Sequence, residues 1–451
     1  MMVEQFDLIV VGAGPGGYVA SIRAAQLGMK VAVIEKDRVG GTCFNVGCIQ
    51  SKLLIEHGKR VYEMNQAKDW GIFANHIELD INKMNHRKDE VVDEIIGNVH
   101  HLFDENHVNY IQGEAVVHSD LSVEVNGRVL HANDIVLATG SSPFVPPIED
   151  VDKIDYETTD SFFKHSTLPE QLTIVGGGVI ATELASAMAD LSVHVTILES
   201  GDNILRSEDK DVQASIRKLL DHQGVKIVTH ARVNKVDTDA VYLENGSQLP
   251  YGTLLFATGR RPNLQAFESL NLTMEDKTIK VNEFNETSVP HVYAIGDLVA
   301  GYQLAHTASA HGAVVAEKIA GLNPDPVKQE DIPRCIYTRV ESASIGLSEA
   351  QAIAQGYDVK VTQSNFKEAP KALIKGETNG VIKMVIDKAT HHILGIFAAG
   401  PNATDVVGQM SAMRAAHGQL EDLAAMIQPH PALSETIGET ANAYFNKAIH
   451  Q

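Results

Sequence analysis

Two cysteines five positions apart, Cys43 and Cys48, form the clearest chemical feature of this 451-residue sequence. They lie in residues 40–52, a segment rich in glycine and polar residues rather than in core-forming side chains. Five residues of a straight α-helix advance by about 7.5 Å, which exceeds the usual Cα separation across a disulfide. We therefore expect Cys43 in non-helical backbone ahead of a helix that carries Cys48. Because a helix N-terminus favours a thiolate, the pair predicts reversible disulfide chemistry.

A structural role explains these two cysteines less well than a redox role. A disulfide that closes so short a loop restricts the unfolded chain only slightly and would add little stability. The chain has only three cysteines, too few for a disulfide framework. The third, Cys335, lies in an apolar strand with no cysteine nearby, and we expect it to be structural. Lys52 follows Cys48 by one helical turn, so the two residues share a helix face.

Two glycine-rich turns predict two dinucleotide-binding units. Each turn stands between a strand and a helix, and an acidic residue ends the next strand. The first unit contains Gly12, Gly14, Gly17 and Glu35. The second unit contains Gly176, Gly178, Ala181 and Glu199. The glycines permit a tight turn and close approach to a pyrophosphate, and the acid binds ribose hydroxyls. One such motif is weak, but two complete copies are specific.

Composition and charge exclude several other classes of protein. The chain carries 58 acidic and 37 basic residues, a net charge of −21, which repels nucleic acids and anionic membranes. No apolar run is long enough to span a membrane, and Glu4 and Asp7 stand where an export signal would need basic residues. We therefore expect a cytoplasmic protein with neither nucleic acid nor membrane as a partner. No metal site is expected.

The motifs together resemble those of the flavoprotein disulfide reductases, most closely the dihydrolipoyl (lipoamide) dehydrogenases. Besides the glycine turn at 12–17, the resemblance rests on Gly-Gly-Thr-Cys at 40–43, Asn-Val-Gly-Cys at 45–48, Ala-Thr-Gly-Arg-Arg-Pro-Asn at 257–263, Tyr-Ala-Ile-Gly-Asp at 293–297, Leu-Ala-His at 304–306 and His-Pro-Ala-Leu-Ser-Glu at 430–435. It spans essentially the whole chain, and these motifs are jointly very specific.

The resemblance implies an α/β fold with two Rossmann-like dinucleotide-binding domains and a C-terminal α+β dimerisation domain. We expect an FAD-binding domain with the cysteine pair at 1–142 and an NAD-binding domain at 143–259. A central domain at 260–330 would complete the FAD site, and a dimerisation domain would occupy 331–451. After residue 330, strands alternate with helices, as is typical of a separate α+β unit.

The resemblance also assigns cofactor-binding residues. FAD would occupy the first unit, with Glu35 on the adenosine ribose and Asp297 near the ribityl chain, and NAD would occupy the second. The residues implied for FAD are Gly12, Gly14, Gly17, Glu35, Thr42, Lys52, Thr139, Gly140, Asp297 and Ala305. The residues implied for NAD are Gly176, Gly178, Ala181, Glu199 and Gly259.

Catalytic roles follow from the same resemblance. Cys48 would face the flavin and Cys43 would exchange with substrate, while Lys52 and Glu183 would form an ion pair beside the flavin. His430, backed by Glu435, would take a proton from the substrate dithiol. An imidazole suits this task because its ordinary pKa is near neutrality. In the family this histidine reaches the cysteines of the other subunit, which implies a homodimer.

The predicted reaction is the FAD-dependent oxidation of protein-bound dihydrolipoyl groups, with electrons passing through the cysteine disulfide and FAD to NAD+. The implied partner is the lipoyl-bearing acyltransferase component of a 2-oxo acid dehydrogenase complex. Two alternatives stay open: an NAD(P)H-dependent reductase of another disulfide or oxidant, and a flavin- or nucleotide-binding partner with weak turnover. Three departures from the family pattern, Gln50, Gln428 and Ala432, surround the substrate side.

Overall fold

A mainly parallel β-sheet holds the first nucleotide-binding unit. The computed structural model describes residues 4–73 and 76–450. The strands and helices of this part are β1 (Glu4–Val11), α1 (Pro15–Gln26), β2 (Val31–Glu35), α2 (Gly41–Asn45), α3 (Cys48–Gln66), α4 (Ile81–Glu105), β3 (Asn109–Gln112), β4 (Val116–Val117), β5 (Val123–Val125), β6 (Arg128–Leu137) and β7 (Ser141–Pro143). The strand order is β3-β2-β1-β6-β5-β4. Residues 8–11 of β1 and 31–34 of β2 are apolar runs, as expected for parallel strands covered on both faces.

Helix α4 is a long amphipathic helix that begins at Ile81 and ends at Glu105. The Asp80 side chain caps the helix by accepting a 3.1 Å hydrogen bond from the Lys83 N–H. Val92, Ile96, Val99 and Phe103 are buried, at the spacing of one helix face. The helix therefore packs into the core beside the first sheet.

A second parallel sheet follows, with a strand order that repeats the core of the first. The elements of this part are α5 (Thr159–Phe162), β8 (Gln171–Val175), α6 (Val179–Asp190), β9 (His194–Leu198), α7 (Lys210–His222), β10 (Lys226–Val228), β11 (Val233–Val236), β12 (Ala240–Leu243), β13 (Gln248–Pro250) and β14 (Thr253–Phe256). The parallel order is β10-β9-β8-β14, and β11, β12 and β13 form a small antiparallel sheet. Both predicted strand-turn-helix-strand units are confirmed.

The next segment returns to the first sheet. Its elements are β15 (Arg260–Pro262), β16 (Met274–Glu275), β17 (Thr278–Ile279), β18 (Val292–Ala294) and α8 (Ala305–Ile319). Strand β18 pairs in parallel with β6, and β15 pairs with β7. Helix α8 packs so closely on α1 that a Cβ at Gly312 would stand 2.4 Å from the Gly16 carbonyl oxygen. This segment therefore brings residues 293–305 beside the first glycine turn.

The C-terminal part is an antiparallel sheet covered by helices. Its elements are β19 (Arg334–Ile336), β20 (Glu341–Gly346), α9 (Glu349–Ala354), β21 (Val359–Asn365), α10 (Pro370–Lys375), β22 (Val381–Asp387), β23 (Ile393–Gly400), α11 (Ala403–Ala415), α12 (Leu420–Ala425) and α13 (Glu435–Tyr444). The strand order is β19-β20-β23-β22-β21. The predicted fold class is confirmed, while the boundaries at 142, 259 and 330 stay predictions. No helix in the described ranges is long and apolar enough to cross a membrane.

Candidate active site

The two cysteines lie on separate helices that meet at a sharp bend. Contrary to the expected non-helical backbone, Cys43 lies within α2, and Cys48 is the first residue of α3. Between them, Val46 (φ −145°, ψ 22°) and Gly47 (φ −145°, ψ −114°) leave the helical region. The bend brings the two sulfur atoms into hydrogen-bond contact, and both cysteines are free thiols. The break between the two helices thus allows the two cysteines to meet, which a continuous helix would prevent.

Glycines and amide side chains hold this bend. Gly40 adopts φ +92°, and a Cβ there would lie 1.9 Å from the Phe44 ring. A Cβ at Gly47 would stand 2.8 Å from the Thr42 carbonyl oxygen. The Asn45 amide donates to the Gly41 carbonyl at 2.9 Å, and the buried Gln50 amide donates to the Asn45 carbonyl. A proline at position 50 would have no side-chain donor for this contact.

The surroundings give the two sulfurs different protonation states. The hydrogen bond from Cys43 and the nearby Lys52 ammonium lower the pKa of Cys48 to about 7, although burial and Glu183 oppose the shift. The same hydrogen bond, together with burial, raises the pKa of Cys43. Cys48 therefore ionises first, with its midpoint near neutral pH, and Cys43 stays the thiol that donates to it. Lys52 also forms an ion pair with Glu183, Nζ to Oε2 2.8 Å.

The first glycine turn forms a cradle open on one side. Gly12 adopts φ +102°, and a Cβ there would lie 2.4 Å from the Ala138 carbonyl oxygen. A Cβ at Gly17 would be only 1.8 Å from the Gly12 oxygen, whereas a Cβ at Gly14 would meet open space. Glu35 ends β2, and its carboxylate accepts the Ala13 N–H at 2.8 Å. The turn thus leaves room for a pyrophosphate at the N-terminus of α1.

Other residues predicted for the first cofactor converge on this cradle from later segments. Asp297 accepts a hydrogen bond from the Ser141 hydroxyl, next to Gly140. The Thr139 hydroxyl donates to the Asn263 carbonyl at 2.7 Å. Ala305 begins α8. These contacts tie the Ala-Thr-Gly segment at 138–140 to the segments that follow the second unit.

The second glycine turn repeats the geometry of the first. Gly176 adopts φ +111°, and a Cβ there would lie 2.4 Å from the Ala257 carbonyl oxygen. A Cβ at Gly178 would meet open space. Ala181 is fully buried. The Glu199 carboxylate accepts the Gly201 N–H at 2.6 Å, and Arg206 Nε lies 3.9 Å from it. Gly259, the last residue predicted for this site, has positive φ and open space beside it.

The predicted acid/base pair is formed, but at a distance from the cysteines. His430 Nδ1 lies 2.9 Å from Glu435 Oε1, and Glu435 Oε2 accepts the Ala432 N–H at 2.8 Å. The His430 side chain is 69% exposed. Within the described part of a single chain, no hydrogen bond joins His430 to either cysteine. Glu435 thus orients an imidazole that faces outward.

One residue beside the cysteines was missed by the sequence reasoning, although its motif was noticed. Arg260 follows the second Ala-Thr-Gly segment and donates through Nη2 to the Thr42 hydroxyl at 3.2 Å. It also donates through Nε to the Ser141 hydroxyl at 2.8 Å. The 257–263 motif could have indicated that this arginine serves the site. Its partners are more than one hundred positions away, so spacing alone could not reveal them.

Comparison with known sequences identifies the family. The pattern described as "Pyridine nucleotide-disulphide oxidoreductase" matches residues 6–312, and that of its dimerisation domain matches residues 332–441. The chain belongs to the pyridine nucleotide-disulphide oxidoreductase family. It is 37% identical over 473 residues to a dihydrolipoyl dehydrogenase of Bacillus subtilis, with both chains covered completely. A dihydrolipoyl dehydrogenase of Thermus scotoductus is 36% identical, with 99% of each chain covered. The predicted resemblance is confirmed.

Solved structures of this family share the whole architecture. The HOCl-induced flavoprotein disulfide reductase RclA from Escherichia coli has a TM-score of 0.86 at 25% identity, covering 97% of this chain and 99% of its own. LpdA from Mycobacterium tuberculosis has a TM-score of 0.89 at 22% identity, covering 98% and 100%, and shows a shared fold. The predicted enzyme class, a pyridine nucleotide-linked flavoprotein disulfide oxidoreductase, is confirmed.

Proposed function

We propose that this protein oxidises protein-bound dihydrolipoyl groups to the lipoyl disulfide and passes the electrons through Cys43 and Cys48 and FAD to NAD+. The observation that carries the proposal is the asymmetric cysteine pair. Cys48 is the stabilised thiolate beside Lys52, and Cys43 is the neutral thiol that hydrogen-bonds to it. The chain is 36–37% identical to dihydrolipoyl dehydrogenases over nearly its whole length. This similarity supports a dihydrolipoyl substrate over other dithiols and disulfides.

The residues present fit FAD in the first unit and NAD in the second. Gly14 and Gly178 leave open space at the N-termini of α1 and α6, where each pyrophosphate would lie. Glu35 and Glu199 are buried acids at the ends of β2 and β9, suited to ribose hydroxyls. When bound, FAD would carry an electron pair from the cysteines to NAD+. Glu199 favours NAD+ over NADP+ because its charge repels a 2′-phosphate.

The protein side of the reaction is a thiol–disulfide exchange. A substrate thiolate attacks the Cys43 sulfur of the oxidised pair, and the Cys48 thiolate leaves. The second substrate thiolate then attacks the first, releases Cys43 and closes the lipoyl ring. The substrate loses two electrons and two protons, and the cysteine pair gains the two electrons. One proton stays on Cys43, which leaves as a thiol, and the other passes through His430 to solvent. His430, oriented by Glu435, would accept a substrate proton and so generate the attacking thiolate.

We further propose that the enzyme is a homodimer in which His430 serves the cysteines of the other subunit. The family dimerisation domain and the exposure of His430 support this arrangement. Mixing inactive Cys43→Ser protein with inactive His430→Gln protein tests it. Heterodimers would contain one intact site, so random exchange should restore about a quarter of wild-type activity. If the mixture stays inactive while subunits demonstrably exchange, His430 does not act across the dimer.

Steady-state kinetics test the substrate proposal directly. NADH with lipoamide should turn over quickly, whereas NADPH with glutathione disulfide should not. Disulfides formed by hypochlorite should be tested as substrates in the same assay, because the alternative function is the reduction of another disulfide. Negligible lipoamide turnover would reject the proposal.

Anaerobic NADH titration tests the relay itself. The wild type should develop long-wavelength thiolate-to-flavin absorbance, and Cys48→Ser should abolish it. Cys335→Ser is the matched control and should keep it, because that cysteine lies on β19 outside the pair. Flavin reduction without this absorbance in the wild type would favour a flavoprotein with no disulfide relay.

The proposed partner is the lipoyl-bearing acyltransferase of a 2-oxo acid dehydrogenase complex, and the proposed location is the cytoplasm. The partner follows from the proposed reaction, because lipoyl arms are carried by such complexes. Affinity capture with the tagged protein should enrich lipoylated acyltransferases, and the capture should persist in Cys43→Ser. Absence of lipoylated proteins from the captured material would argue against this partner.

A further inference from the structure

We infer that Arg260 is a positioning residue of the cysteine pair, which anchors the Cys43-bearing turn through Thr42 and supplies positive charge to the Cys48 sulfur. The inference rests on the proposed function, because it concerns the same redox pair. Lys52 was the cation expected beside the cysteines. Arg260 lies on a different element, at the start of β15 after the second nucleotide-binding unit.

The guanidinium of Arg260 connects three segments. Nη2 donates to the Thr42 hydroxyl at 3.2 Å and to the Ser141 carbonyl at 2.5 Å, and Nε donates to the Ser141 hydroxyl at 2.8 Å. Nη1 donates to the Thr159 hydroxyl at 3.4 Å at the start of α5. Thr42 directly precedes Cys43 on the five-residue helix α2. A helix this short has little stability of its own, so a fixed donor at its second residue restrains the position of the cysteine.

The charge of Arg260 is not cancelled by a direct ion pair. In the described ranges 4–73 and 76–450, no carboxylate oxygen lies within 4.0 Å of its guanidinium nitrogens. Asp297 is reached only through the Ser141 hydroxyl. Burial lowers the pKa of Arg260, opposed by Asp297, Asp160 and Cys48, but a guanidinium stays protonated at neutral pH. Cys48 is among the groups that favour the charged form of Arg260, so by reciprocity a positive charge at Arg260 favours the Cys48 thiolate.

The charged and titratable groups that face the Cys48 sulfur come from four elements. They are Cys43 on α2, Lys52 on α3, Glu183 on α6 and Arg260 on β15. Glu183 is already paired with Lys52, so part of the lysine charge is neutralised. Arg260 is the cation in this set without an ion-pair partner among the described residues, and its removal should weaken the thiolate.

The test uses a Cys43→Ser background, in which Cys48 is the sole cysteine of the pair. A pH titration of the long-wavelength thiolate-to-flavin absorbance then reports the ionisation of Cys48. Arg260→Gln should move the midpoint upward by less than the roughly one pH unit expected on loss of Lys52, and Arg260→Lys should restore most of that shift. Arg261→Gln is the matched control, because its guanidinium stacks on the Phe144 ring at 4.2 Å instead. It should leave the midpoint unchanged.

FAD content and thermal unfolding of each variant are measured first. If Arg260→Gln does not retain FAD, the pH dependence of Cys48 alkylation by iodoacetamide in the apoproteins reports the same ionisation without flavin. A midpoint in Arg260→Gln equal to that of Arg261→Gln would overturn the inference. A background protein that shows thiolate reactivity but no flavin absorbance would instead contradict the proposed relay, so the two failures are distinguishable.

Discussion

The Lys52 ammonium on α3 donates a 2.8 Å hydrogen bond to Glu183 on α6, and this contact joins the two nucleotide-binding units beside the cysteines. The Glu183 side chain is only 5% exposed, and its second oxygen accepts the Tyr337 N–H at 2.9 Å. The Tyr337 ring lies 4.6 Å from the Lys52 ammonium. Three parts of the chain therefore fix this one pair, whose two charges act on Cys48 with opposite sign.

Substitutions in this pair should shift the ionisation of Cys48 in opposite directions. Lys52→Met removes the cation that stabilises the thiolate, so the midpoint near pH 7 should rise by about one unit. Glu183→Gln removes a destabilising anion while keeping a side-chain acceptor, so the midpoint should fall. The measurement is the pH dependence of the long-wavelength absorbance in the two-electron-reduced enzyme, which is lost as pH falls and the thiolate protonates.

Arg60→Gln is the control for this pair, because Arg60 lies on the same helix but pairs with Glu56 on an exposed face. Its midpoint should equal that of the wild type. Shifts of the same sign in Lys52→Met and Glu183→Gln would show that the pair acts by packing rather than by charge.

Removing the imidazole at position 430 should separate the two half-reactions. His430→Gln should lower lipoamide turnover by about 10²- to 10⁴-fold, because proton transfer from the substrate dithiol loses its acceptor. Reduction of the flavin by NADH should keep its rate, since that step does not involve His430. Stopped-flow and steady-state kinetics measure the two steps.

His118→Gln is the matched control for that substitution, because His118 also pairs with a glutamate, Glu124, at an exposed site. It should retain full turnover. Equal losses in both half-reactions of His430→Gln would point to a structural role for His430.

The choice between NAD and NADP should respond to the charge at the end of β9. Glu199→Gln keeps an acceptor for the Gly201 N–H but removes the negative charge beside Arg206. We expect kcat/KM for NAD+ to fall by about 10-fold and kcat/KM for NADP+ to rise, because hydrogen bonds to a charged group contribute about 1.5–3 kcal/mol. Adding Arg206→Gln should reverse the gain with NADP+. In the control Glu244→Gln, which alters an exposed pair with Arg232, the ratio should stay constant.

Local sequence patterns predicted the nucleotide-binding units well, because the residues that mark each unit lie close together in the sequence. The glycine turns, the flanking apolar strands and the acids Glu35 and Glu199 all lie within one strand-turn-helix-strand unit. The helix that holds Cys43 was not predicted, because five residues are too few for a helical periodicity to show. Strand β20 (Glu341–Gly346) contains only one large apolar residue, Ile345, so its sequence signal is weak although the strand is buried inside the sheet.

Local sequence patterns could not predict the long-range contacts of the site. Lys52 and Glu183 were paired only through the family resemblance, because 131 positions separate them. Arg260 meets Thr42 across 218 positions, and no periodicity links the two. The position of His430 relative to the cysteines of another subunit depends on assembly.

The first glycine turn provides a test of stability that is independent of catalysis. In Gly17→Ala the new Cβ would lie 1.8 Å from the Gly12 carbonyl oxygen, so the start of α1 must shift. We expect the free energy of unfolding to fall by about 1–3 kcal/mol and FAD content to fall with it.

Gly97→Ala is the control. This residue lies in α4, where a Cβ would meet no atom of the described residues within 4 Å, so alanine should stabilise the protein by about 0.5–1 kcal/mol. Urea unfolding followed by circular dichroism, with flavin absorbance measured in parallel, distinguishes the two. Equal stability of Gly17→Ala and the wild type would show that the turn has room for a side chain and that the close approach of α1 to Gly12 is not required.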